Sequence, residues 1–317
     1  MKNVAITGVA GYLGNILMKR IAQEKEVEHI IGPDIKKPEI DDPKLTFIKH
    51  DVRQPFGDII AQNKIDTAIH FAFIVPPAPA SPHMMHDINI NGSKNFLDSV
   101  KQAKVQQIFY MGSNTGYGAH KDNPKIITED TPLHPNKDFP YPVYKAQVDH
   151  MFQDFAKQNP DTIVTIGRTV PVTGPHGEKC GLTVLFLPIM VKAMGYDPLW
   201  QFVHEDDLMD AIVILLKQRK AGQFNFTGDG GLTYSQMCKA LGKPTITLPF
   251  PLLYWGTRLS WTLRLQKKSQ AGGAHLLRYP IVLSGEKLKK ETGFQYKYTG
   301  PEAFNIFMKA MGKKPIT

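Results

Sequence analysis

Short runs of β-branched and aromatic residues alternate with longer stretches of helical periodicity through the first two thirds of the chain. NVAIT (3–7), VEHIIG (27–32), LTFIKH (45–50), TAIHFAF (67–73), QQIFYM (106–111) and TIVTIGR (162–168) predict strands. Between them, GYLGNILMKRIAQEK (11–25) and INGSKNFLDSVKQA (90–103) predict helices. Such alternation argues for a parallel sheet with helices on both faces. The strands are apolar at both parities, which suits a sheet covered on two sides.

The regularity fails after Arg168. TVPVTGPHGEKCG (169–181) reads as loop, LWQFVHEDDLMDAIVILLKQ (199–218) as a strand and helix, and GQFNFTG (222–228) as one more short strand before several helices. The fold class predicted is therefore α/β, a Rossmann-type doubly wound parallel sheet with a smaller, mainly helical C-terminal part. Residues 1–169 form the expected sheet domain, with 202–228 returning to it; 170–201 and 229–317 form the expected smaller second domain. The proline-rich IVPPAPASP (74–82), just after a strand, is expected to wall a cleft.

Composition narrows the function classes. With 317 residues, 42% hydrophobic and 21% charged, the chain can bury a full core. Two cysteines, Cys180 and Cys238, rule out a disulfide framework and fit a reducing cytoplasm. The start runs directly into a strand without a signal-peptide core, and no uncharged apolar run reaches the length of a membrane span. The net charge of +9 favours anionic ligands. Its cations are scattered, without the aromatic interleaving that binds nucleic acid, so no nucleic-acid partner is expected.

The first strand runs into TGVAGYLG, where Gly8, Gly11 and Gly14, with Tyr12 and Leu13 between them, open a helix. Glycine permits a tight bend and close backbone approach, and amides at a helix start face a pyrophosphate. The Gly-x-x-Gly-x-x-Gly spacing departs from the commoner Gly-x-Gly-x-x-Gly fingerprint. At the end of the second strand Asp34 is placed to accept from an adenosine ribose, favouring NAD over NADP, while Lys36 and Lys37 pull the other way. After the third, Asp51 and Val52 suit the amino group and face of an adenine; a turn role for Asp51 is the alternative.

Tyr141 and Lys145, in PYPVYKAQVDHMF, are four apart near a helix start and so share a face. A phenol with an ordinary pKa near 10 is a poor proton carrier at neutral pH unless a positive charge stabilises its anion. The same spacing recurs at Tyr117 and Lys121, but there glycines and a proline predict a loop.

Taken together, these residues resemble the extended branch of the short-chain dehydrogenase/reductase superfamily, the NAD-dependent epimerase/dehydratase family. The resemblance spans nearly the whole chain: TGVAGYLG, Asp34, Asp51 with Val52, HFAF (70–73), NINGSKNFL from Asn89, YMGSNTGYG from Tyr110, YPVYK, GRTVPVTGP and FVHEDD. It implies NAD as cofactor, with Phe71, Ala72 and Phe73 beside it. It implies Tyr141 as general acid/base, Lys145 lowering its pKa and holding the nicotinamide ribose, and Ser113 orienting the substrate oxygen. It also implies a homodimer through the helices that begin near Asn89 and at Tyr141, and Phe96, Leu97, Val100, Met151, Phe152 and Phe155 offer apolar surface for it.

The substrate side departs from the pattern. Relatives acting on nucleotide sugars usually have asparagine where Pro171 stands and an aromatic in place of Thr173. Near Arg278 they add an aspartate, and here Val282 and Leu283 stand instead. Three functions therefore remain in view. The first is an oxidoreductase interconverting a secondary alcohol and a ketone, on a nucleotide sugar or a less polar molecule; the second a nucleotide-sugar 4-epimerase or dehydratase; the third a catalytically silent dinucleotide-binding scaffold or redox sensor.

Four features stand apart. His83, His86 and Asp87 have a spacing compatible with a metal, which the family chemistry does not need. His204 is expected to be structural, with Asp206 or Asp207 capping the next helix. Cys180 has no paired base in sequence. In PFPLLYWGTRLSWTLRLQKK (249–268), Leu252, Trp255, Leu259 and Leu263 recur at helical spacing. A helix docked on the core is the first expectation there; lining an apolar pocket or touching a membrane surface are the others, membrane contact being the less favoured.

Overall fold

The computed structural model describes residues 1–75, 81–176, 185, 187–266 and 270–313. Its strands are β1 (Asn3–Thr7), β2 (His29–Asp34), β3 (Leu45–Lys49), β4 (Thr67–His70), β5 (Gln107–Ser113), β6 (Ile163–Thr169), β7 (Val172–Thr173), β8 (Met190–Ala193), β9 (Leu199–Trp200), β10 (Val203–His204), β11 (Gly222–Phe226), β12 (Leu232–Thr233) and β13 (Thr245–Leu248). The helices are α1 (Tyr12–Ala22), α2 (Gly57–Gln62), α3 (Pro82–His86), α4 (Gly92–Gln102), α5 (Pro140–Gln158), α6 (Glu205–Lys217), α7 (Tyr234–Leu241), α8 (Phe250–Thr262), α9 (Glu286–Thr292) and α10 (Gly300–Ala310).

Seven strands form one sheet in the order β11-β6-β5-β4-β1-β2-β3, and every pairing in it is parallel. Parallel strands need crossovers, and the chain supplies helices for them on both faces. One apolar cluster gathers Leu17, Ile21, Leu208, Ile212 and Phe224 against the sheet. Another gathers Phe96, Val100, Tyr110, Val148 and Phe152. The strand order reverses between β1 and β4, so a crevice opens beyond their carboxyl ends, where α/β sheets bind ligands.

The segment after residue 169 leaves the sheet, returns as β11 beside β6, and leaves again. A separate apolar cluster, including Met190, Phe202, Met237, Leu253, Leu277 and Phe304, underlies the C-terminal third. Helices α7 and α10 each begin with a reciprocal capping box, Thr233 with Gln236 and Thr299 with Glu302.

Three expectations change. The cap of α6 is His204, whose Nδ1 accepts from the Asp206 amide at 3.2 Å. Asp207 instead accepts from the Lys297 and Tyr298 amides, tying α6 to the approach to α10. The apolar side chains expected to pair subunits are spent inside the protomer. Phe96, Leu97, Val100, Phe152 and Phe155 are buried in the second cluster, with Met151 packed against it. The outer positions, such as Lys94, Asp98, Gln147, His150 and Asp154, are polar. Finally, the Leu252, Trp255, Leu259 and Leu263 stripe of α8 faces outward.

Candidate active site

The turn after β1 is shaped by its glycines. Gly8 has φ +72, and a Cβ there would lie 2.6 Å from the Ala72 nitrogen, so this turn and the segment after β4 touch at the crevice. A Cβ on Gly14 would meet the Gly8 carbonyl oxygen at 2.2 Å. Helix α1 starts at Gly11 with no side-chain cap and no acidic residue in its first turn. The positive end of its dipole thus meets no carboxylate of its own first turn, and Gly8, Gly11, Tyr12, Leu13 and Gly14 all line the adjoining cavity. This arrangement fits a dinucleotide pyrophosphate. Tyr12 is fixed from a distance, donating to Glu205 on α6 at 2.5 Å.

Asp34 closes β2 and accepts from the Ala10 amide at 3.0 Å and the Lys36 amide at 3.1 Å. It braces the glycine turn. Asp51 is less available than its position suggests. Arg53 binds it at 2.6 Å and also reaches Asp87 at 3.2 Å, holding the Asp51 carboxyl below the usual range. Asp87 further accepts from Asn91, so it serves this ion pair rather than a cluster with His83 and His86. Val52 packs on the second cluster.

Phe71 and Phe73 line the cavity. Their segment is held by buried Asn89, which accepts from the Ile74 amide at 2.7 Å and donates to its carbonyl at 3.1 Å. Val75 extends this wall, and residues 76–80 of the proline-rich stretch lie outside the described residues, as does Cys180.

Ser113 ends β5, and Tyr141 and Lys145 stand on the first turns of α5, whose opening Pro140 and Pro142 need no amide donor there. All three side chains line one cavity of about 950 Å³. The Tyr141 ring meets Phe73 edge-on at 6.2 Å, and the Ser113 hydroxyl is bonded to the Thr115 hydroxyl at 2.9 Å. Lys145 donates to the Met111 carbonyl at 2.7 Å and its ammonium sits 3.7 Å from the Phe73 ring centroid. Burial pushes the Tyr141 phenol up, opposed by the Ser113 hydroxyl. The same burial pulls Lys145 down to about 7, opposed by Asp149. The Lys145 ammonium is turned to the Met111 carbonyl, and burial is the largest cause of the shift in both groups.

A buried network that the sequence did not reveal fixes α5 from below. Arg168 on β6 donates from Nε and Nη2 to the two Asp149 carboxylate oxygens, each at 2.9 Å. Its Nη1 donates to the Tyr117 hydroxyl at 2.9 Å, which in turn donates to Asn225 on β11 at 2.9 Å. Tyr117 thus lies in a short 3-10 turn (Asn114–Tyr117) as a core residue, and Lys121 is exposed, so this second Tyr-Lys pair is not brought together at the cavity.

Beyond Tyr141 the cavity runs into the C-terminal third, along Pro171, Val191, Trp200, Leu248, Leu253 and Leu277. Arg278 is not among its lining residues; its guanidinium sits near the Tyr196, Phe250 and Tyr279 rings at 4.8 to 4.9 Å.

A doubly wound sheet with a glycine turn at its crevice and a serine, tyrosine and lysine facing one cavity defines an enzyme of the extended short-chain dehydrogenase/reductase class. The chain belongs to the NAD dependent epimerase/dehydratase family, whose model matches residues 4–226. It is similar to an uncharacterized protein of Mycobacterium tuberculosis, 26% identical over 99% of this chain and 85% of that one. A UDP-glucose 4-epimerase of Neisseria meningitidis is 29% identical over 56% of this chain and 55% of its own length. In fold it matches the crystal structure of dTDP-glucose 4,6-dehydratase from Bacillus anthracis in complex with NAD, at TM-score 0.72 and 19% identity, covering 98% of this chain and 97% of that one.

Proposed function

We propose that the protein is an NAD(H)-dependent oxidoreductase that interconverts a secondary alcohol and a ketone on a substrate of largely apolar surface. One observation carries the choice of substrate. Among the described residues lining the cavity, Lys145 is the only charged side chain, and the wall beyond Tyr141 is mostly aliphatic and aromatic, with Gln201, Thr257, Ser260, Gln266 and Gln270 as its uncharged polar members. A diphosphate placed there would lose hydration without a cation to meet it, at a cost of several kcal/mol. The walls contributed by residues beyond 226 also lie outside the family match.

In this reading, the glycine turn and the start of α1 hold the pyrophosphate, Asp34 the adenosine ribose, and Asp51 with Val52 the adenine side. Phe71, Ala72 and Phe73 flank the cofactor, and Lys145 holds the second ribose. Bound NAD supplies a hydride acceptor and NADH a hydride donor. Tyr141 takes or gives the proton on the substrate oxygen, and Ser113, lining the same cavity, orients that oxygen. Bringing a phenol from about 10 to near 7 takes roughly 4 kcal/mol. The cavity's burial adds to that demand, so positive charge gathered beside Tyr141 on binding has to supply it. The parts after residue 169 other than 202–228 act as the substrate-binding domain.

The test is turnover of the purified protein with NAD or NADH against apolar secondary alcohols and ketones, followed by nicotinamide absorbance, beside UDP-sugars assayed for epimerisation. Oxidation or reduction of the apolar set is expected, with Tyr141→Phe lowering the rate by about 100-fold or more while NAD affinity stays within a few fold. Tyr117→Phe should affect stability instead. Turnover of UDP-sugars alone, with tightly retained NAD, would establish the 4-epimerase; no turnover of either set, with NAD bound, would favour the silent scaffold.

A further inference from the structure

Helix α8 presents an apolar face that the described residues leave uncovered. Leu252, Trp255, Leu259 and Leu263 follow one another at three- and four-residue steps and so share one side of the helix axis. They are 63%, 59%, 60% and 58% exposed, and Trp261 and Leu265 extend the exposed apolar surface. Arg258 stands at the edge of this face with its guanidinium 5.1 Å from the Trp255 ring, and Arg264 follows, also exposed.

Along the chain around α8 the charge has one sign, and the one carboxylate bonded to the helix among the described residues, Asp138, accepts from the Tyr254 hydroxyl at 2.7 Å. Between Asp229 and Glu286 the sequence contains no acidic residue, yet it carries Lys239, Lys243, Arg258, Arg264, Lys267, Lys268 and Arg278, with Lys267 and Lys268 outside the described residues. A face meant for water or for a protein of mixed charge has no physical reason to exclude carboxylates over so long a stretch. An anionic bilayer does supply one. Leucines and tryptophan between basic residues also match the chemistry of a headgroup boundary, where apolar bodies sink and charged tips stay wet.

The other flank of the same helix explains what such contact would achieve. Leu253, Gly256, Thr257 and Ser260 line the large cavity, and Leu252 both lines it and is mostly exposed, so the cavity mouth opens along α8. At 13 residues the helix is about 20 Å long, too short to cross a hydrocarbon core of about 30 Å. Lying in the interface is the geometry left to it.

We propose that α8 docks the protein on the surface of an anionic bilayer, its apolar face sunk at the headgroup boundary and Arg258 and Arg264 meeting lipid phosphates, with the cavity mouth turned toward the lipid. The docking does not depend on which substrate the enzyme takes, and its test reads association without turnover.

The experiment is flotation of the full chain with phosphatidylcholine vesicles, with and without phosphatidylglycerol, alongside tryptophan emission. Association with the phosphatidylglycerol vesicles is expected, with a blue shift, weakened about tenfold or more by omitting the anionic lipid or raising salt. The double substitution Leu252→Glu/Leu259→Glu should abolish it. Arg258→Glu, on an exposed side chain that leaves the apolar face intact, should weaken it by several fold, and thermal melting confirms that both variants fold. Failure to float at low salt, or flotation indifferent to both variants, would overturn the proposal. So would a two-chain mass in light scattering that the double variant reduces to one, because the face would then be covered by a second copy.

Discussion

Lys145 is only 6% exposed, and burial draws its pKa down to about 7. In the unfolded chain a lysine titrates near 10.4. Between these values the unfolded state holds more protons than the folded one, so stability rises with pH across this window; below about 7 the whole cost of burying the charge is present. Lys145→Met should therefore raise the urea midpoint at pH 6, and the gain should shrink as pH approaches 10. Equal gains at both pH values would show that the ammonium is not what destabilises the fold. At this scale the sequence distinguishes Tyr141 and Lys145 from Tyr117 and Lys121, because a proline-led helix gives four-residue spacing a meaning that a glycine-rich turn does not. It does not disclose that Arg53 claims Asp51 or that Tyr12 meets Glu205, 193 residues away. Long-range polar partners leave no periodicity to read.

The glycine turn joins a strand to a helix, and its tolerance is set by backbone atoms rather than by side chains that can move aside. Gly14→Ala would bring a Cβ to within 2.2 Å of the Gly8 carbonyl oxygen, so the turn has to open. NAD affinity measured by calorimetry should fall by about tenfold or more, because the α1 amides lose their aim. Unchanged affinity would place the pyrophosphate elsewhere. The strands of the sheet were readable to within a few residues, since β-branched runs buried on two faces have few alternatives. Helix α8 was readable as a helix but not as an outward-facing one. A 3.6-residue stripe says which side chains share a side, and only the neighbouring elements decide whether that side meets protein.

For the whole molecule, assembly turns on where apolar surface is left over. Burying a side chain such as Phe96 or Phe152 stabilises by about 1.5 to 3 kcal/mol, and here that gain is realised within one protomer. The outer sides of α4 and α5 are polar, so the homodimer that the resemblance implies loses the side chains that argued for it. Light scattering at micromolar concentration, without lipid, should give a mass near 35.5 kDa. Twice that mass would mean that the subunits pair through surfaces other than those apolar side chains. The Arg168 network bears on something else, the order in which the molecule can be completed. It ties the helix bearing Tyr141 to Asn225, which lies 108 residues beyond Tyr117 in the chain. On the ribosome, a nascent chain that has not yet released β11 holds the reacting residues but lacks the strand that anchors their support.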